Sequence, residues 1–139
     1  MVRRGLRGFL ELFDDIEVVG EAGDGVTALA LAATTTPDVV VMDLRLPRLG
    51  GIEATRELRA RQPGIEVVAL TGTIDEEQVM AAIEAGAAGF VLKDADADDI
   101  AAAIRAARAH RRRPVDRPGS RSTAHRGQAA IQLHERGRA

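Results

Sequence analysis

The stretch "PDVVVMDLRLPRLGG", residues 37–51, decides the fold. Val39 to Met42 are four apolar residues in a row, which reads as a short strand buried on both faces. The run delivers a carboxylate, Asp43, and then breaks at Pro47 and the Gly50–Gly51 pair. Working outward, the same plan repeats. Strand-like runs stand at 16–20 ("IEVVG"), 38–42 ("DVVVM"), 65–70 ("IEVVAL") and 89–92 ("GFVL"). Between and around them lie amphipathic stretches that predict helices at about 2–13, 25–35, 51–62, 75–85 and 97–109. Apolar strands alternating with helices imply an α/β fold, a doubly wound parallel sheet covered on both faces.

In such a sheet, ligands bind at the C-terminal ends of the strands. Three polar residues fall at that edge, each directly after its apolar run: Asp43, Thr71 and Lys93. Lys93 is the only lysine, beside 18 arginines. A compact ammonium suits a single phosphoryl or carboxylate oxygen better than a planar guanidinium does. Taken alone it is as readily a solvated surface cation. Asp43 is too far from the helix that starts near Gly51 to serve as its cap. At a ligand-binding edge a carboxylate can bind Mg²⁺, act as a base, or attack phosphorus. Thr71 either simply ends its strand or donates its hydroxyl to an oxygen on the group Asp43 acquires.

Composition bounds the alternatives. The chain has 139 residues, 45% hydrophobic but only 2% aromatic, so the core is built from Val, Ile, Leu and Ala. With no cysteine, disulfides and thiolate metal sites are excluded. No run approaches the ~18 apolar residues that span a bilayer. "MVRRGLRGFLELF" lacks the features of a signal peptide, so a cytoplasmic protein with no membrane partner is expected. The net charge of −2 hides an asymmetry. Residues 1–109 hold 11 basic and 19 acidic residues; residues 110–139 hold 8 arginines and 2 acids. The second part has only Val115, Ile131 and Leu133 as large aliphatics. A domain at 1–109 followed by a basic, disordered tail at 110–139 is expected.

Together, "VVVMDLRLPRLGGIEATRELR", "VVALTGT" and "EAGAAGFVLKD" resemble the receiver domain of bacterial response regulators, in the NarL/FixJ-like subfamily of two-component systems. The likeness covers residues 1 to about 109. It implies a flavodoxin-like fold and assigns roles. Asp43 would be the phosphoacceptor, taking a phosphoryl group from a sensor histidine kinase. Lys93 would hold a phosphoryl oxygen, and Thr71 would turn its hydroxyl onto it. Phe90 sits where the family places a switching aromatic coupled to Thr71; core packing is its alternative role. Mg²⁺ would be held by Asp43 and the Arg45 backbone carbonyl. Pro47, Gly51 and Gly72 would shape the loops. Signalling would pass through the surface made by the fourth helix (75–85), the strand 89–92 and the fifth helix (97–109). A homodimer is one partner state the resemblance allows. The protein would not be an enzyme beyond autocatalysed phosphoryl transfer to itself.

The sequence departs from the family pattern at both ends. The family opens with a strand ending in two adjacent acids that bind Mg²⁺. Here "MVRRGLRGFLEL" already matches the first helix, so that strand and its acidic pair are expected to be missing. Two strands are then left without a neighbour, and Mg²⁺ binding is expected to be weakened or lost. An upstream start or a truncated gene is the expected origin. Asp14 and Asp15 lie at the opposite edge of the sheet from Asp43, where solvated turn acids are expected. The tail carries no helix-turn-helix pattern, so no DNA-binding domain is expected within residues 110–139. Two other functions compete: a degenerate, phosphorylation-independent interaction module, and an aspartate-nucleophile phosphohydrolase. The second needs an acid two positions after the nucleophile, where Arg45 stands.

Overall fold

The computed structural model describes residues 8–45, 48–72, 75–112, 127–128 and 130–133. After a helical turn at residues 8–10, the elements run β1 (Ile16–Glu17), β2 (Gly20–Ala22), α1 (Gly25–Thr35), β3 (Val39–Asp43), α2 (Gly51–Arg61), β4 (Glu66–Thr71), α3 (Glu76–Ala85), β5 (Gly89–Leu92), α4 (Ala97–Arg112), β6 (Gly127–Gln128) and β7 (Ala130–Leu133). The five-stranded sheet has the order β2-β7-β3-β4-β5, and every pairing in it is parallel. β1 pairs with β6, also in parallel. This is the doubly wound α/β architecture that the alternating apolar runs predict. The run at 16–20 divides into β1 and β2, and its second half extends to Ala22.

Strand alternation builds a core on each face. Val40, Met42, Val67 and Ala69 pack with Ala28, Leu29 and Ala32 of α1, Ala54 and Leu58 of α2, and Ala82 of α3. Val39, Val41, Val68 and Leu70 point the other way, onto Ile100, Ala101, Ile104 and Ala107 of α4 and onto Leu10. Both β3 and β4 are buried along their whole length, as the unbroken Val-rich runs require.

Local signals set the helix ends. Asp24 caps α1 by accepting the Thr27 N–H at 2.8 Å. Asp75 caps α3 through the Glu77 N–H. Gly86 ends α3 at φ 114°, a left-handed position that suits glycine.

Within the tail, Gly127–Gln128 and Ala130–Leu133 form β6 and β7, and β7 lies between β2 and β3. The two strands expected to lack a neighbour therefore share one, drawn from the far end of the chain. The rest of the tail, 113–126, 129 and 134–139, lies outside the described residues. Asp15, expected as a solvated turn acid, is instead tied to α4. Arg105 donates to both its carboxylate oxygens, at 2.7 and 3.0 Å, and Arg108 reaches its backbone carbonyl at 3.2 Å. The Arg105 guanidinium holds the Asp15 carboxyl down at about 2.

Candidate functional site

Three strand ends converge at the C-terminal edge of the sheet. β3 and β4 pair so that Asp43 lies beside Leu70, and β4 and β5 pair so that Thr71 lies beside Leu92. The ladder continues one step beyond the strands. The Leu44 N–H donates to Leu70 O at 3.0 Å, and the Lys93 N–H to Thr71 O at 2.8 Å. Asp43, Thr71 and Lys93 thus sit on neighbouring strands held by backbone hydrogen bonds, which leaves them little freedom to drift apart.

Asp43 is 1% exposed and Thr71 3%. Burying a carboxylate is costly unless it is paired. Lys93 pairs it: Nζ lies 2.8 Å from Asp43 Oδ2, with the lysine side chain 32% exposed. The other oxygen, Oδ1, accepts the Arg45 N–H at 2.9 Å. Oδ2 has charge contact with the ammonium but no donor in hydrogen-bonding geometry. It is the sole such buried side-chain polar atom among the described residues.

The loop after Asp43 is clamped on two sides. Gly51 opens α2 directly under the strand end. A Cβ there would collide with the Asp43 carbonyl oxygen and lie 2.6 Å from Leu44 Cα. The Gly51 N–H donates to Leu44 O at 3.3 Å, and Thr55 Oγ1 donates to Gly51 O at 2.8 Å. Gly51 is therefore required by close packing against the residue it follows by eight positions. On the other side, a Cβ on Gly25 would meet Leu49 Cβ at 2.7 Å. Arg48, at φ 62°, reaches Asp24 at 3.5 Å. The Gly25 and Arg48 contacts have no clear signature in the sequence beyond the glycine at the start of α1.

The remaining expected residues divide. Gly72 is exposed, and a Cβ there would meet nothing within 4 Å, so packing does not demand a glycine. Phe90 is 41% exposed, which sets its ring outside the two cores; Val91, on the opposite face, packs into the α4 side. Met80 and Ile83 of α3 are also exposed. Pro47 lies outside the described residues. At the opposite edge, Glu66 of β4 is a buried acid that sequence reading passed over as a strand residue. Arg59 and His110 stand 3.9 and 3.5 Å from it. Its polarity within an apolar run was the available signal.

The donor set for a divalent cation is thin. Among the described residues no group of three or more His, Cys, Asp or Glu side chains converges. Asp43 and the backbone of the loop that follows it would leave most of an octahedral Mg²⁺ shell to water and phosphate oxygens. No helix among the described residues is long and apolar enough to cross a membrane.

Comparison with known proteins bears on the family and the fold. Residues 1–105 match the family model described as the response regulator receiver domain. The chain is 47% identical over 107 residues to the transcriptional regulatory protein LiaR of Bacillus subtilis, covering 77% of this chain and 51% of LiaR. It is 41% identical over 105 residues to the response regulator protein VraR of Staphylococcus epidermidis, covering 76% and 50%. It thus spans about half the length of the curated relatives it matches. Among solved structures, a LuxR-family two-component response regulator from an Aurantimonas species superposes with a TM-score of 0.74 at 41% identity, over 78% of each chain. The response regulator domain of Thermotoga maritima CheB superposes at 0.70 with 29% identity, over 76% of this chain and 87% of that one.

Proposed function

The chain belongs to the response regulator receiver family, and on that premise we propose that Asp43 accepts a phosphoryl group from a sensor histidine kinase. The observation that carries the reading is the pair at the strand-end edge: the buried Asp43 carboxylate with the chain's one lysine 2.8 Å from Oδ2. In the transfer, a carboxylate oxygen of Asp43 forms a bond to phosphorus as the bond from phosphorus to the kinase's histidine nitrogen breaks. The nitrogen keeps the electron pair. The protein contributes position and charge. Arg45 N–H fixes one carboxylate oxygen, Lys93 offsets the negative charge that arrives, and Thr71, on the neighbouring strand, turns its hydroxyl onto the arriving group.

Mg²⁺ supplies charge neutralisation in this family when bound. With no group of three or more acidic or His side chains converging among the described residues, its affinity here is read as weakened, and no step is assigned to it. Beyond self-phosphorylation the domain is not an enzyme. It works in the cytoplasm as the receiving half of a regulator related to transcriptional regulators, and it signals through α3, β5 and α4, where Met80, Ile83 and Phe90 are exposed. A homodimer through that surface and DNA binding by the longer relatives' other half belong to the same reading.

The thin donor set favours one rival, an interaction module that works without phosphorylation. Incubation with acetyl phosphate over a range of Mg²⁺, read by intact mass, separates the two. The acceptor reading expects slow addition of a single phosphoryl group, rising through the millimolar range of Mg²⁺ and absent in Asp43→Asn. No addition at any Mg²⁺ concentration would favour the rival. Addition that persists in Asp43→Asn would move the acceptor elsewhere.

A further inference from the structure

The loop between Asp43 and α2 is held at three places that differ in kind. At its base, the Gly51 N–H donates to Leu44 O at 3.3 Å, and Gly51 packs against the Asp43 carbonyl. Beside the first turn of α1, Leu49 lies so close that a Cβ on Gly25 would meet Leu49 Cβ at 2.7 Å. The third is an ion pair at the surface. Arg48 Nη2 stands 3.5 Å from Asp24 Oδ2, with the two side chains 56% and 20% exposed. Asp24 is already committed through its other oxygen, Oδ1, which accepts the Thr27 N–H and caps α1. One carboxylate therefore joins the start of α1 to the loop that follows the acceptor strand. The Thr27 N–H, and then the Arg48 guanidinium, keep the Asp24 carboxyl below its usual range.

Arg48 itself sits at φ 62°. A residue with a Cβ avoids that left-handed region and persists there only where its surroundings hold it. Among the described residues, Thr36 is the other such case outside glycine. Thr36 is the C-cap of α1, and its N–H donates to Ala32 O at 2.9 Å. Arg48 ends no helix; its charged contact is the Asp24 carboxylate. Three positions earlier, the Arg45 N–H donates to Asp43 Oδ1 at 2.9 Å. Three residues of chain span at most about 11 Å, so a loop tied at position 48 has little room to swing at position 45.

We propose that Arg48 is a positioning residue for phosphoryl acceptance: its ion pair with Asp24 latches a strained turn, and the latched turn keeps the Arg45 N–H on the Asp43 carboxylate. The inference rests on the reading of Asp43 as the acceptor. Arg48 acts through Arg45 rather than on the reacting atoms. The latch is the most easily opened of the three contacts. Close packing at Gly25 and Gly51 is indifferent to salt, whereas an exposed ion pair is screened by it. Once the pair opens, residue 48 is free to leave the left-handed region. Asp43 then loses the donor that orients one of its oxygens, while the strands of the sheet stay as they are.

The test uses the full chain and reads two quantities: exchange of the Arg45 amide by NMR, and the rate of phosphoryl addition from acetyl phosphate by intact mass. Arg48→Ala removes the pair and keeps the strain. Asp24→Ser removes the pair and keeps a cap for the Thr27 N–H. Each should speed Arg45 exchange and slow addition by about two- to fivefold, the range an exposed pair supplies. The double variant should be no worse than either single one, because both break the same contact. Arg48→Lys keeps the cation and should keep most of the protection. Arg48→Gly takes φ 62° without strain and should lose less than Arg48→Ala. In wild type, Arg45 exchange should quicken as NaCl rises to about 1 M; in Arg48→Ala it should not respond. A packing role alone would give additive losses and no salt response. Unchanged Arg45 exchange in Arg48→Ala, additive losses in the double variant, equal losses in Arg48→Gly and Arg48→Ala, or faster exchange with an unchanged addition rate would each overturn the proposal. No addition to wild type at any Mg²⁺ concentration would instead sink the acceptor reading on which it rests, while Arg45 exchange would still report whether the latch exists.

Discussion

Gly51→Ala should destabilise the domain, while Gly50→Ala, one residue earlier, should not. At position 51 the new methyl would sit on the Asp43 carbonyl oxygen and 2.6 Å from Leu44 Cα, where ordinary contact begins at 3.4 Å. The neighbours are backbone atoms of a buried strand end, so no side chain can swing aside. Either α2 or the end of β3 must shift by most of an ångström. Overpacking a well-filled interior costs about 1–3 kcal/mol, and backbone neighbours put this case near 3. Alanine returns up to about 1 kcal/mol by restricting the unfolded chain. The net is a loss of about 2 kcal/mol, which lowers Tm by roughly 8 °C in a domain of this size. At position 50 a Cβ meets nothing within 4 Å and φ is −65°. There a weaker N-cap and a stiffer unfolded chain roughly cancel, leaving a change within about 0.5 kcal/mol. Thermal unfolding followed by far-ultraviolet circular dichroism measures both. Below its melting temperature, Gly51→Ala should also accept phosphate more slowly than Gly50→Ala, since the displaced atoms belong to the acceptor itself. Two variants that melt within about 2 °C of each other would refute the close-packing account of Gly51.

Three further outcomes are expected. Arg105 holds the Asp15 carboxyl at about 2, below its usual 3.8, so the pair's contribution is complete above pH 3.8 and disappears as pH falls towards 2. Denaturant unfolding of wild type and Arg105→Gln should show a gap of at most about 1 kcal/mol near neutrality, given the pair's exposure, closing across that acid window; a gap that persists at pH 2 would contradict the assignment. Asp24→Ala removes the cap on the Thr27 N–H and the partner of Arg48; it should cost about 1 kcal/mol by urea midpoint, whereas Asp24→Ser should recover most of the loss. Gly72→Ala should leave stability within about 0.5 kcal/mol, because its Cβ meets nothing, yet slow phosphoryl acceptance by narrowing the edge beside Thr71; an unchanged phosphorylation rate would reduce Gly72 to an ordinary turn residue.

The apolar run Val39–Met42 and its repeats were enough to establish a parallel sheet, because burial on both faces leaves an unmistakable composition. The edge residues followed from the same logic: where strands are parallel, residues that end successive runs share an edge, so Asp43, Thr71 and Lys93 could be grouped before any coordinates. Register and spacing could not be read that way. That Gly51 must lack a Cβ, and that Gly25 must too, depends on how closely two helices and one loop approach, which no local pattern encodes. Asp15 read as a solvated acid because its partners, Arg105 and Arg108, are ninety residues away and only α4's packing brings them to it. The tail shows the limit most clearly. Ile131 and Leu133, two apart, carried a faint strand period, but in a segment rich in arginine the burial they offer is too small to predict order. Their place is decided by the sheet: β2 and β3 each present a row of backbone donors and acceptors that must be satisfied, and that demand belongs to the assembled structure rather than to any stretch of the sequence.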